Sequence, residues 1–304
     1  MRRVRGWRTS SQLKGVTPGW APDDAAPVGA RSGPILPSHR RAQKRGSDWA
    51  QVHRAKRGGR CSNGRVSDGV GGGKQAPPGR DALARLATLG MSYASAGLAE
   101  GDLAGDPLAQ FGRWLQDAID APLPEPHAMV LATADATGQP SGRTVLLKGV
   151  DSRGFLFMSN YTSRKGRALA ENPQASLVFP WFAMLRQVVV IGRVERLERA
   201  ESEAYFATRP RGSQLAAWAS AQSAVIGDRG ELEARYSDVG ERFPLGGEVP
   251  TPEAWGGYVV RPDTVEFWHG QVSRLHDRLE YVRVVDEDAR LDDPAAWRVQ
   301  RRSP

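Results

Sequence analysis

The feature that most restricts how this chain can fold is a succession of short apolar stretches from residue 128 onward, with turn signals between them. Ala128–Ala134, Gly142–Val150, Gly154–Ser159, Ala175–Trp181 and Gln187–Leu197 are rich in Val, Leu and Phe, which suits strands. Asp135-Ala136-Thr137-Gly138 and Asp151-Ser152-Arg153-Gly154 separate some of them, and Asp/Gly clusters of this kind reverse the chain. Strands joined so closely pair antiparallel. A last group of strands runs from Trp255 through Trp297–Arg301. Helices are inserted among these strands. Asp106-Pro107 caps and opens one, with Leu108, Phe111, Trp114, Leu115 and Ile119 recurring at helical spacing. Others are expected over Ala200–Thr208, Ser213–Ser220 and Asp228–Arg242. The pattern reads as an α+β fold, an antiparallel β-barrel with flanking helices. No internal repeat is visible.

The net charge of +8 conceals two unlike parts. Residues 1–80 hold 17 Lys and Arg against 4 Asp and Glu, a net of +13, which leaves 25 against 30, a net of −5, for the rest. The first 79 residues are Gly-, Pro-, Ser- and Arg-rich without an apolar period, and a segment of that composition is expected to stay disordered. The folded domain is expected over 80–304, and a start at or near Met91 is an alternative reading of the extension. One cysteine, Cys61, excludes an internal disulfide framework and fits a cytoplasmic protein. No metal site is expected. No run reaches the ~20 apolar residues of a membrane span, and no apolar stretch follows the basic N-terminus to make a secretory signal.

Four short elements carry the candidate chemistry. In Tyr161-Thr162-Ser163-Arg164-Lys165-Gly166, Ser163 is placed to cap a short helix ended by Asn172-Pro173, and Arg164 and Lys165 add charge to its N-terminus, which suits a phosphate. Within Ser141–Lys148, period two puts Arg143, Val145 and Leu147 on one face and Thr144, Leu146 and Lys148 on the other. In Phe267–Arg278, an extended tail would align Arg274, His276 and Arg278 beside Trp268, a setting for an anionic planar ligand, with Asp277 pointing away. In Tyr205–Gln214, Pro210 breaks a helix that restarts near Ser213, so Tyr205, Arg209 and Ser213 can converge on a second phosphate. Glu195, Glu198, Glu201 and Glu203 read as solvated charges without chemistry.

In this order the elements resemble the pyridoxine/pyridoxamine 5'-phosphate oxidase family. The resemblance rests on Arg-Thr-Val-Leu-Leu-Lys (143–148), Ser-Arg-Lys (163–165), Phe-Pro-Trp (179–181) with Arg186-Gln187, and Arg-Pro-Arg-Gly-Ser-Gln (209–214). It continues through Ala217–Ser223, Trp255-Gly256-Gly257 and Val265–Trp268 to Arg274-Leu275-His276-Asp277-Arg278, and covers roughly Tyr93 to Pro304.

The resemblance implies a split β-barrel homodimer with FMN at the subunit interface. FMN would contact Arg143, Thr144, Val145, Leu146, Leu147, Lys148, Met158, Ser159, Arg164, Lys165 and Gln187, and from the partner Gln222, Ser223, Trp268 and Arg278. Substrate would meet Tyr93, Lys148, Tyr205, Arg209, Ser213, Arg274 and His276, the last two being the catalytic pair. The implied reaction is oxidation of pyridoxamine or pyridoxine 5'-phosphate to pyridoxal 5'-phosphate, with O2 as acceptor and H2O2 as by-product. Two departures stand out. The family's Arg-x-x-Tyr reads Gly90-Met91-Ser92-Tyr93 here, and Met158 replaces an aromatic residue. The competing readings are a non-catalytic FMN- or pyridoxal-phosphate-binding protein, a flavin reductase with another substrate, and nucleic-acid binding through the basic extension.

Overall fold

The computed structural model describes residues 97–285 and 289–304; Cys61, Gly90, Tyr93 and the whole basic extension lie outside them. Helix α1 (Pro107–Asp120) begins where the Asp106 carboxylate accepts from the Ala109 amide, as the Asp-Pro signal predicts. Strands β1 (Ala128–Ala134), β2 (Pro140–Asp151) and β3 (Gly154–Asn160) follow, then α2 (Arg164–Glu171), β4 (Gln174–Trp181) and β5 (Arg186–Arg196). Next come α3 (Arg199–Ala207), α4 (Arg211–Ala219) and α5 (Arg229–Arg242), and β6 (Trp255–His269), β7 (Asp277–Arg283) and β8 (Trp297–Arg301) complete the chain.

All eight strands form one sheet in the order β3-β2-β1-β4-β5-β6-β7-β8, and β3 also pairs with β6. That extra pairing closes six strands into an antiparallel barrel and leaves β7 and β8 as an extension of β6. Closure removes the free edges that an open sheet would expose. Strand β6 serves the barrel and the extension together because it is 15 residues long. It carries Pro262 in its interior, where a missing N–H would normally break a ladder. The β5–β6 register shifts between Ile191 and Gly192, and Pro262 falls opposite Gly192 at that bulge. A Cβ on Gly192 would collide with the Arg261 carbonyl, so only glycine lets the two backbones pass.

The barrel is filled by the inward-facing residues of each strand. Along β4, Ala175, Leu177, Phe179 and Trp181 point in, and along β5 Val188, Val190 and Val194 do so. Helix α1 lays its apolar stripe against this filling. Phe111 meets the rings of Phe155 and Phe179 edge-on at 4.8 and 5.0 Å, and Trp114 meets Phe267 at 5.1 Å. Phe155 is fully buried at this junction. Phe155→Ala is expected to lower stability by roughly 3–5 kcal/mol, read as a shift in the urea unfolding midpoint without a change in slope. A smaller cluster of Phe206, Leu215, Val249 and Trp255 ties α3 and α4 to the start of β6 and fixes one wall of the site described next.

Candidate active site

A cleft of about 980 Å³ runs between β2, β3, the N-terminus of α2 and the α3–α4 corner, at the upper end of the ~300–1,000 Å³ common for ligand sites. Arg143, Thr144, Val145, Leu146 and Lys148 line it from β2, Met158 and Ser159 from β3, and Arg164 and Lys165 from α2. Tyr205, Arg209 and Ser213 close it from the helical corner, and Gln222 and Ser223 from the loop after α4. Five of the lining residues are cationic and none is a carboxylate. In a domain whose sequence is net acidic, such segregation suits ligands that carry more than one negative charge.

The α2 end of the cleft is built from local hydrogen bonds. Asn160 Oδ1 accepts from the Thr162 amide and hydroxyl at 2.8 and 2.7 Å, which shapes the turn. The fully buried Ser163 hydroxyl donates to the Asn160 carbonyl at 2.7 Å and accepts from the Gly166 amide at 3.3 Å, capping the helix as its sequence suggests. Gly166 is obligatory, since a Cβ there would strike the Tyr161 carbonyl. Lys165 is only 8% exposed and donates to Gln222 Oε1 at 2.7 Å. Burial, with help from the Arg143 charge, pulls its ammonium down from 10.5 to about 8. The Arg143 guanidinium is braced by Leu131 O at 3.1 Å, Thr133 Oγ1 at 2.9 Å and the Ser141 hydroxyl. Arg164 and Lys148 make no hydrogen bond among the described residues and line the cleft, Arg164 also interacting with the Asp135 charge.

At the helical corner α3 ends at Ala207 and Pro210 is the N-cap of α4, which starts at Arg211, two residues before the expected Ser213. Arg209 is held by its flat faces, with Trp255 at 4.8 Å and Phe206 at 5.4 Å, and not by hydrogen bonds. Its Nη1 is buried without a partner, and burial lowers its pKa. Ser159 Oγ, also on the cleft wall, is buried and unpartnered too. Buried orphan donors are rare in folded proteins, and two in one cleft mark where ligand atoms belong. The residues present therefore fit a phosphate-bearing cofactor at the α2 end and a second phosphate at the helical corner.

Several predicted residues lie elsewhere. Leu147 turns inward, 7% exposed, and packs in the barrel core, so its side chain does not reach the cleft. Gln222 and Ser223 line the cleft of their own chain and need no partner to reach it. Gln187, Trp268 and Arg278 stand in one row across β5, β6 and β7, outside the cleft. The extended arrangement predicted for Arg274, His276 and Arg278 is wrong. Val272–Arg274 form a tight 3-10 turn in which Ser273 and Arg274 both take left-handed backbone angles, and β7 begins only at Asp277. His276 still packs against Trp268, ring centroids 4.7 Å apart, while Arg274 projects into solvent. Arg278 is paired bidentately with Glu266, at 3.0 and 2.7 Å, and is not an unengaged cation. Asp277 does pair with neighbours, as expected, whereas Glu195 and Glu201 are more than solvated charges, bonding Arg261 and Arg153 at 2.7 and 2.8 Å. The sequence reading left Asn160 and Thr208 out of the site, although Asn before Thr-Ser is a turn signal that could have found Asn160. Among the described residues no group of His, Cys, Asp or Glu is arranged to hold a metal, and no helix is long and apolar enough to cross a membrane.

Residues 115–243 match the family model for pyridoxamine 5'-phosphate oxidase, and residues 255–304 match that for the pyridoxine 5'-phosphate oxidase C-terminal dimerisation region. A pyridoxine/pyridoxamine 5'-phosphate oxidase of Salinispora arenicola is 56% identical over 219 residues, 72% of this chain and 96% of the relative. The protein of the same description from Burkholderia lata is 52% identical, over 73% of this chain and 100% of its own. Among solved structures, PhzG from Burkholderia lata 383, in complex with tetrahydrophenazine-1-carboxylic acid, superposes with a TM-score of 0.61 at 31% identity, covering 70% of this chain and 100% of its own. A pyridoxamine 5'-phosphate oxidase-related, FMN binding protein from Nostoc punctiforme shares the fold with a TM-score of 0.50 at 15% identity, over 68% of this chain and 100% of its own. With its closed barrel, its carboxylate-free cationic cleft and relatives matched over nearly their full length, this chain belongs to the pyridoxine/pyridoxamine 5'-phosphate oxidase family of oxidoreductases.

Proposed function

We propose that the protein is an FMN-dependent oxidase that converts pyridoxamine or pyridoxine 5'-phosphate to pyridoxal 5'-phosphate. The observation that carries the reading is the buried, unpartnered Nη1 of Arg209 beside Tyr205 and Ser213 in a cleft with no carboxylate. A substrate without a phosphate would leave that donor unpaired, at a cost of about 1–3 kcal/mol. Arg143, Arg164, Lys165 and Ser159 would hold the FMN phosphate and ring, and Met158 would pack beneath them. When bound, FMN supplies a two-electron acceptor that O2 regenerates with release of H2O2.

The chain's own residues then position the substrate. Tyr205, Arg209 and Ser213 grip its phosphate, and Lys148 meets it from β2. The substrate carbon that bears the amine or alcohol loses a hydride, and the heteroatom loses a proton. The alcohol thereby becomes the aldehyde directly, while the amine gives an imine that water hydrolyses to aldehyde and ammonia. Trp268, Arg274 and His276 do not line the cleft of their own chain. The match to a dimerisation region supports a homodimer in which a second copy supplies them. Arg274 and His276 would orient the ring and stabilise developing charge.

Purified protein should show flavin absorbance and, with pyridoxamine 5'-phosphate under air, form aldehyde and peroxide. A parallel assay with tetrahydrophenazine-1-carboxylic acid, the compound seen with PhzG, separates this reading from a reductase or oxidase of a carboxylate substrate. A yellow protein inactive on both would be a flavin-binding protein only. Arg274→Ala is expected to lower turnover about 100-fold with flavin occupancy retained; equal losses of both would remove its assigned role.

A further inference from the structure

The turn carrying Arg274 is conformationally expensive. Ser273 and Arg274 are consecutive non-glycine residues at φ +55° and +63°. Such residues persist only where surrounding contacts over-determine them. Two bonds from one residue close the turn. The Gln271 amide donates to His276 Nδ1 at 3.0 Å, and the Gln271 side chain donates to Asp277 Oδ2 at 3.1 Å. The first of these makes His276 Nδ1 an acceptor and fixes the ring against the turn.

The same Asp277 holds the first described residues of the chain. Its Oδ2 accepts from the Leu98 amide at 3.0 Å and its Oδ1 from Arg301 Nη1 at 2.6 Å. Arg301 in turn donates to the Leu98 carbonyl at 3.1 Å and to Glu100 at 2.8 Å. Gly97, at φ +85°, closes directly on the pair, since a Cβ there would stand 3.0 Å from Gln271 Nε2 and 3.3 Å from Asp277 Oδ2. One carboxylate thus joins three separate pieces of chain: the strap at 97–100, the 271–276 turn and strand β8.

Resting on the oxidase reading above, we propose that Asp277 is a positioning residue whose clasp with Gln271, Arg301 and the 97–100 strap holds the Arg274–His276 turn in shape. Docking of the strap and presentation of His276 are therefore one coupled event. Loss of the carboxylate releases the strap and the turn together, with no ligand required.

Hydrogen exchange on the full-length protein tests this without substrate. In Asp277→Ala the amides of Leu98 and Gln271 should lose protection together. With pyridoxamine 5'-phosphate, kcat should fall about 10- to 100-fold at unchanged flavin occupancy, because the turn is misplaced while the cleft is not. Arg301→Lys, which keeps a cation for Asp277 but not the fork shared with Glu100, should fall between the two proteins in both readouts. Should Asp277→Ala not fold, Arg301→Met reads the same coupling. Release of Leu98 with Gln271 protection and kcat unchanged would overturn the proposal. If the wild-type protein makes no aldehyde, the oxidase reading fails, and the exchange experiment alone still decides whether strap and turn are coupled.

Discussion

Substituting Arg209 by methionine is expected to cut kcat/KM for pyridoxamine 5'-phosphate roughly 100- to 1,000-fold, since a buried charge-assisted contact is worth about 3–4 kcal/mol. Methionine keeps an apolar stem against Trp255 and Phe206, whose rings flank the guanidinium at 4.8 and 5.4 Å, so the helical corner should not collapse. Flavin occupancy should stay near wild type, because Arg209 belongs to the α3–α4 corner and not to the α2 N-terminus. Activity on unphosphorylated pyridoxamine, weak in both proteins, should change little, and this comparison isolates the phosphate contact from general damage. The ligand-free variant should also melt at a higher temperature. The wild-type side chain buries a donor with no partner, and burial depresses its pKa, both of which oppose folding until an anion arrives. A loss of turnover on both substrates alike, or a lowered melting temperature, would show that Arg209 is structural.

An unpaired buried atom such as Arg209 Nη1 is displayed by no sequence, and it marks the boundary of what the residues alone could reveal. The runs of Val, Leu and Phe and the Asp/Gly turns between them place the barrel strands within a residue or two, because such residues suit a packed strand and the turn residues reverse the chain. The caps Asp106 and Ser163 are equally local signals, and both bond as expected. Barrel closure through β3 and β6 is not local: their registers meet at Phe157 and Tyr258, far apart in the chain. The misjudged turn at 272–274 has the same origin. Gln-Val-Ser-Arg-Leu offers no Gly or Pro to announce a reversal, and Ser273 and Arg274 are left-handed because Gln271, Asp277 and the strap hold them there. Leu147 fell to period two itself. It shares a face with Arg143 and Val145, which line the cleft, yet its own side chain packs in the barrel core. The motif resemblance named the candidate residues, while the structure shows which of them share one cleft.

Lys165 gives the second large effect and a pH dependence whose sign can be worked out. Its pKa is about 8 in the folded chain, against 10.5 for a free side chain, because burial and Arg143 disfavour the ammonium. Between these values the unfolded chain binds the extra proton, so this residue makes stability rise with pH across that window. Binding of a phosphate does the reverse. The anion favours the ammonium and raises its pKa, so affinity is full below about pH 8 and declines as pH rises through it. At about pH 9 binding should therefore take up a proton, measurable as a buffer-dependent heat in calorimetry. The ligand's own second phosphate ionisation lies near 6 and contributes nothing to that limb. Lys165→Met should weaken FMN binding about 10- to 100-fold at neutral pH and abolish the decline above pH 8, leaving a flat profile. Flavin fluorescence titrations from about pH 6.5 to 9.5 would show it. A decline that persists in Lys165→Met would move the titration to another group and remove Lys165 from the phosphate site.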